Sequence, residues 1–303
     1  MGLLPNTVST NYRRRGAITQ ATINVILIVV SFVFLLPLLL VISSSLTDEV
    51  TLARTGFSLI PEKISFDAYN FIRMDPGRIV NAYAVTITTT TIGTICGLLI
   101  MAMLAYALSR QDFAWRKPLS FFVIFTMLFH GGLIPTYILV TQTLHLKDSL
   151  LALIMPYLVV PWYVFLLRTY FITLPKELIE SAKIDGASEW RVFFQIVIPL
   201  STPALATVGL FCILMYWNDW WLPLLYIDSP NKFPLQYLLY SIQRSAEFLT
   251  TGEASAMLQT IQLPVQSMRM AMAVVAMGPI AIAFLALQRY FVRGMLVGSL
   301  KGE

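Results

Sequence analysis

The sequence predicts an all-α, polytopic membrane protein with six transmembrane helices and both termini on the cytoplasmic side. Three observations carry that expectation. Hydrophobic residues make up 57% of the 303-residue chain and charged ones only 12%, about half the charged share of a soluble domain. Six apolar runs reach the roughly 20 residues that a bilayer requires. Lysine and arginine concentrate in alternate connections, as the positive-inside bias demands.

The first run, Ile23–Ser45, follows the basic stretch NYRRRGAI. It is longer than the apolar core of a cleavable signal peptide and contains Pro37, so it reads as a retained helix. The remaining runs are Asn81–Leu108, Leu119–Thr141, Leu150–Phe171, Thr202–Ile227 and Met268–Gln288. The second contains TITTTTIGT, Thr86–Thr94, which is polar for a lipid-facing surface. Threonine hydroxyls can bond back to helix carbonyls, and small polar residues favour close packing, so this run predicts an interior helix.

With the N-terminus inside, thirteen of the 21 lysines and arginines fall on the inner side, among them Arg13–Arg15, Arg110, Arg116, Lys176 and Lys183. The net charge of +5 therefore follows topology, and no nucleic-acid partner is expected; membrane lipid is. The long outer connections, Leu46–Val80 and Asp228–Ser267, mix turn signals with apolar residues and predict short amphipathic or re-entrant pieces. Cys96 and Cys212 both lie in apolar runs without a CxxC partner and read as buried small hydrophobes. No internal repeat is visible.

Between the fourth and fifth runs lies IESAKIDGASEWRVFFQIVIPL, charged in a chain poor in charge. Pro175, Lys176 and Glu177 suit a helix start. Gly186 supplies a stop, Ser188 an N-cap for a second helix, and Pro199 its end near Ile198. Leu178, Ile179, Ala182 and Ile184 stand among the charges, a pattern that fits a groove on a partner. An interfacial loop helix anchored by Trp190 and Arg191 is the competing reading.

Glu180-Ser181-Ala182, then Asp185-Gly186-Ala187, then Ile196-x-Ile198-Pro199-Leu200 resembles the EAA motif of ABC importer permeases. That motif runs EAA, three residues, G, nine residues, I-x-L-P. This chain departs only in Ser181 and Ile198, both mild replacements. FHGGLIPTYILV, LRTYFITLPKEL, YWNDWWLPLLYI and QRYFVRGMLVGSLKG are similar to the carbohydrate-importer branch, in particular to maltose-type second permeases of the LplC group.

The resemblance implies a type I importer permease fold in a bacterial plasma membrane. It divides the chain into a cytoplasmic segment 1–22, a six-helix permease domain 23–288 with a cytoplasmic coupling loop 174–200, and a cytoplasmic tail 289–303. It implies ATPase coupling through Glu180, Ser181, Ala182, Asp185, Gly186, Ala187, Ile196 and Pro199. Arg293 and Lys301 in the tail would reach the ATPase dimer, the alternative being a positive-inside anchor. The implied partners are a second permease subunit, cytoplasmic ATP-binding subunits and an extracytoplasmic solute-binding protein. No Walker A loop occurs in the sequence, so ATP and magnesium are expected on a partner chain, with no cofactor bound here and no enzymatic activity.

Asp219 is an acidic residue well inside an apolar run, where an ionised group normally faces a cavity or a bundle interior. With Trp217, Asn218, Trp220 and Trp221 it forms a candidate sugar pathway, since sugars bind through aromatic faces and directional hydrogen bonds. An interfacial aromatic belt is the competing reading. His130-Gly131-Gly132 breaks the third run and His130 reads as a packed hydrogen-bonder; the Met-rich run Ser267–Met277 reads as packing, with no metal site expected. An ion-coupled secondary transporter is the alternative function. It would need several intramembrane ionisable residues and, commonly, repeated halves. A membrane enzyme lacks any catalytic constellation.

Overall fold

The described residues are mostly helical, with three long helices and several short, broken ones. The computed structural model describes the backbone of residues 7–251 and 265–299, and the side chains of residues 19–245, 265–282 and 285. Chain contacts divide it into two compact units: Met1–Met74 with Met257–Val274, and Asp75–Ala256 with Val275–Glu303. Among the described residues the extended pairing is a single bridge, Thr47 to Ile64.

In the first unit, α1 (Thr7–Ser45) is followed by α2 (Glu49–Thr55) and α3 (Asp67–Met74). The last two are the short pieces foreseen in the first outer connection. Asp48 starts α2, its carboxylate accepting from the backbone N–H and hydroxyl of Thr51. Glu49 reaches the start of the final helix and accepts from the N–H groups of Gln266 and Ser267 at 2.9 and 2.8 Å. A carboxylate there satisfies orphan donors and complements the helix dipole.

The second unit begins with α4 (Pro76–Ser109), whose N-terminal proline and Asp75 cap fix its entry. It continues through α5 (Arg116–Leu128) and α6 (Leu133–Ile138), then a widened π turn at Leu139–Thr143. Next come α7 (Leu151–Ile154), α8 (Pro161–Ile172), α9 (Lys176–Ile184) and α10 (Glu189–Val192). A second π turn, Phe193–Val197, leads into α11 (Ile198–Leu200) and α12 (Thr202–Trp217). Then follow α13 (Trp221–Tyr226) and α14 (Leu235–Thr251), and the chain closes with α15 (Val265–Ser299).

Among the described residues, three helices are long and apolar enough to cross a membrane: Thr19–Ser45 of α1, α4, and Val265–Ile282 of α15. Three bent pairs pass the same test jointly, giving up to six if each pair is one span. The bend is 113° between Arg116–Leu128 and Leu133–Thr143, and 49° between Leu151–Tyr157 and Pro161–Ile172. It is 82° between Glu189–Leu200 and Thr202–Trp217.

The apolar run Thr202–Ile227 is therefore not one helix. It ends at Trp217, where the Asn218 amide folds back onto the Leu214 carbonyl at 2.8 Å and the Asp219 carboxylate turns to the next helix. The helix after Ser188 ends at Leu200, within one residue of the stop expected at Pro199, and the π turn at Phe193–Val197 widens it ahead of a residue that lacks an N–H.

The core of this unit is α4, with α8 and α12 packed along it. Met101, Ala105, Leu108, Val164, Leu167, Val208 and Cys212 fill the seam. The threonine run behaves only partly as its chemistry predicts: Thr86, Thr89, Thr90 and Thr94 are buried, and the Thr86 and Thr89 hydroxyls donate back to the Ala82 and Val85 carbonyls, but the Thr90 and Thr94 hydroxyls find no partner and Thr88 and Thr91 are exposed. Thr86 also accepts from the Leu235 N–H at 2.8 Å, seating the start of α14. Cys212 is buried as expected, but Cys96 is exposed, although it lies two helical turns beyond the buried Thr89.

Small residues let these helices approach closely, as in membrane bundles generally. A Cβ at Gly93 would lie 2.4 Å from the Tyr216 ring. That ring is buried and held in place, its hydroxyl donating to the Ile154 carbonyl at 2.9 Å. Gly93→Ala is expected to cost about 1–3 kcal/mol by overpacking, read as a lower melting temperature in detergent. An unchanged melting temperature would mean that the ring moves freely.

Candidate functional site

The segment after α8 is a helix, a one-residue reversal and a second helix. Gly186 has φ +80°, in the left-handed region that glycine enters without strain. The Ala187 N–H donates to the Ala182 carbonyl at 2.9 Å and the Gly186 N–H to the Lys183 carbonyl at 3.0 Å. This pair of bonds is the Schellman arrangement, which closes α9 on its own last turn. Ser188 then caps α10, its hydroxyl accepting from the Arg191 N–H at 3.4 Å.

One face of α9 is buried and the other free. Ile179 packs into the core with Phe171, Val192 and Phe193. Leu178, Glu180, Ser181, Asp185, Gly186 and Pro199 are exposed, while Ala182, Ala187 and Ile196 are half-buried. At the apex Ile184 is 86% exposed. The turn thus presents an aliphatic tip flanked by carboxylates, a shape suited to entering a groove. The tail residues fall elsewhere: the side chain of Arg293 and the whole of Lys301 lie outside the described residues.

Contacts legible only in three dimensions aim this segment. Lys183 bridges Asp112 at 3.1 Å and Glu189 at 2.5 Å. Asp112 also takes a two-pronged bond from Arg110, at 3.1 and 2.9 Å. Tyr106, on α4, donates to Glu189 at 2.7 Å. The Arg110 guanidinium, with Lys183 beside it, holds the Asp112 carboxyl down at about 2, and the bond to Glu189 raises the Lys183 ammonium above its usual value. Both groups are partly exposed, so each pair contributes about 1 kcal/mol or less. Their effect is orientation: they tie α9 and α10 to the turn between α4 and α5.

The aromatic cluster divides. Trp217 is only 6% exposed and donates its indole N–H to the Ala276 carbonyl at 3.3 Å, so it packs. Asp219 is half-buried and accepts from the N–H groups of Trp221 and Leu222 at 3.1 and 3.3 Å, capping α13, with the Tyr157 hydroxyl at 3.5 Å. Trp220 and Trp221 remain 41% and 42% exposed. Trp220 stacks on Tyr240 with ring centres 4.7 Å apart, and Asn218 accepts from the Gln236 amide at 3.4 Å. The result is an aromatic ledge edged with amides. Tyr240 and Gln236 went unnoticed in the sequence, because nothing local links α14 to this turn. His130 is exposed at the break before α6, not packed as expected. No cluster of three or more metal-ligating side chains occurs among the described residues.

Beneath the ledge, Asp148 clasps two loops. Its carboxylate accepts from the N–H groups of Asp228 and Ser229 at 3.1 and 3.0 Å, the Ser229 hydroxyl at 2.6 Å and the Lys232 ammonium at 2.8 Å. Asp148 itself has φ +56°. The sequence carries no sign of this, since the partners lie about eighty residues downstream.

Known proteins resemble this chain in sequence and in fold. The 276-residue match to the polygalacturonan/rhamnogalacturonan transport system permease protein YtcP of Bacillus subtilis is 38% identical and covers 91% of this chain and 96% of that protein. Protein LplC of the same organism is also 38% identical, over 90% of this chain and 91% of that one. In structure, the chain resembles one from a crystal structure of a bacterial ABC transporter involved in the import of the acidic polysaccharide alginate. The TM-score is 0.76 at 27% identity, covering 96% of this chain and all of that one. Residues 97–297, which include the capped turn and the ledge, match the model for a binding-protein-dependent transport system inner membrane component, and the chain belongs to that family.

Proposed function

We propose that this chain is one of two related permease subunits of an ATP-driven importer for an oligosaccharide. Its family works with a solute-binding protein and an ATPase. In this reading the six runs cross the membrane with both termini in the cytoplasm, residues 1–22 and 289–303 are cytoplasmic segments, and 174–200 is the coupling loop within 23–288. ATP and magnesium act on the separate ATPase. The carrying observation is the Gly186 turn: a rigid, capped apex with Ile184, Asp185 and Gly186 exposed, tethered through Lys183 to the end of α4. Closure of the ATPase pair would move the apex, and the tether would pass the movement to the helix on which α8 and α12 pack.

The carbohydrate assignment draws on the relatives, which are named for transport of polygalacturonan/rhamnogalacturonan and arabinooligosaccharides. It also draws on the Trp220–Trp221 ledge with Asn218 and Gln236 at its edge. Aromatic faces with directional amides suit a sugar better than an ion. Asp219 acts here by holding the ledge, capping the helix that carries Trp221.

Affinity purification of the full chain in mild detergent, with co-purifying proteins identified by mass, tests the assembly. A Walker-motif ATPase and a second permease are the expected companions. A chain that purifies alone and moves solute on an ion gradient would overturn the reading in favour of a secondary transporter.

A further inference from the structure

A cleft of about 350 Å³ opens between the start of α5, the end of α8 and one face of α9. Four cations line it, Arg110, Arg116, Lys176 and Lys183, against two carboxylates, Asp112 and Glu180. Arg110 and Lys183 are already engaged with Asp112. Arg116 and Lys176 have no carboxylate partner among the described residues. Arg168, four residues before the end of α8 at Ile172 and outside the lining, is a third cation without one; its Nε–H is spent on the Leu108 carbonyl at 3.1 Å.

Cations held together without counter-ions are a standing cost, and an anion relieves it. The rest of the lining is mostly apolar: Phe171, Ile172, Leu174 and Ile179, with Ser109 and Gln111 adding two uncharged polar side chains. Ile172 is exposed, and the indole of Trp115, next to Arg116, is 66% exposed. A cleft with unpaired cations on one side and an apolar wall on the other matches a phosphate carried on a hydrocarbon tail. Arginine and lysine both take phosphate well, the first through its fork of donors and the second as a point charge.

We propose that this cleft is a phosphate-binding site whose occupant is the headgroup of an anionic phospholipid. The placement on the lipid's inner face rests on the importer reading above. The phosphate bridges Arg116, at the start of one membrane helix, to Lys176, at the start of the coupling helix. It thereby braces α9 against the ends of the spans. The same chemistry is offered by free phosphate, so the source has to be separated by experiment.

The full chain, purified in mild detergent, is titrated with phosphatidylglycerol or phosphatidylcholine and bound lipid is counted by native mass spectrometry, with no ATPase present. Wild type is expected to prefer phosphatidylglycerol by about tenfold. Arg116→Gln with Lys176→Gln should abolish the preference, and Glu180→Gln, which removes a carboxylate from the lining, should increase it. Resistance of the bound lipid to millimolar inorganic phosphate and glycerol phosphate identifies the lipid as occupant. Displacement by either supports the site and assigns it to a free phosphate. A preference that is absent in wild type, or unmoved by both sets of substitutions, overturns the proposal. Because lipid binding is read without the ATPase, that failure leaves the coupling reading untouched, and a failure to recover an ATPase leaves the lipid result standing.

Discussion

Replacing Gly186 with valine is expected to abolish ATP-driven uptake while leaving the chain inserted and folded. A Cβ at this position meets nothing within 4 Å, so the effect is not steric crowding by neighbours. It is conformational: φ +80° places a β-branched side chain against its own backbone, at about 1–2 kcal/mol or more. The turn would relax to negative φ and release the bonds from Ala187 to Ala182 and from Gly186 to Lys183. Ile184 and Asp185 would then point away from where a partner groove meets them. Stability falls little, because the core contacts of Ile179 and Val192 lie outside the turn. Gly186→Asn is the informative companion, since asparagine tolerates the left-handed region, and it should retain much of the activity. Stimulation of the assembled importer's ATPase by its binding protein reads the coupling without knowledge of the sugar. Full stimulation in the valine variant would refute this account of the turn.

The second large effect is expected at Asp148. Asp148→Ala removes the acceptor of four hydrogen bonds, one of them from the Lys232 ammonium. Bonds to a charged group contribute roughly 1.5–3 kcal/mol each when buried. This carboxylate is partly exposed, so water replaces some of them, and a net loss of about 2–3 kcal/mol is expected. Asparagine keeps the φ +56° conformation and part of the bonding, and should lose about half as much. The Lys232 ammonium, helped by Ser229, holds the Asp148 carboxyl well below the ordinary carboxylate range. The clasp therefore contributes in full above the unfolded value near pH 4, and its contribution is lost as acid carries the pH down through the lower folded value. Thermal unfolding in detergent checks both statements. Wild-type melting should fall as the pH drops below about 4 more steeply than that of Asp148→Ala; parallel curves would count against the clasp.

What could be read from the sequence was local. The reversal at Gly186 and the cap at Ser188 are set by residues within one helical turn, so their spacing sufficed. Thr86 and Thr89 of α4 were legible for the same reason, their partners lying three or four residues back. Hydropathy alone could not place the end of the Thr202–Ile227 run, because Asp219 decides it by capping α13 within an apolar stretch. The π turn before Pro199 escaped because nothing local marks it; it goes with the packing of Phe193 and Val197 in the core. Lys183 and Asp112 are 71 residues apart and Asp148 and Ser229 are 81 apart. Such pairs leave no trace in a single sequence, yet one ties the Gly186 turn to the end of α4 and the other joins two loops about eighty residues apart.

The burial pattern of the apolar helices has a consequence for how the protein is made. The most apolar 18-residue window of Thr19–Ser45 has a mean hydropathy of 3.4 with none of it buried, whereas that of α4 reaches 2.0 with 44% of it buried. The first can leave the translocon for lipid as soon as it is synthesised. The second carries hydroxyls, and a face shaped for Tyr216, that gain nothing from lipid. Its packing partners, Pro161–Ile172 and Thr202–Trp217, emerge from the ribosome some fifty to a hundred residues later. During that interval, a minute or less at normal elongation rates, α4 must be retained by the insertion machinery or held at the interface. Premature termination after α4 would accordingly strand it, and quality-control proteases should meet it first.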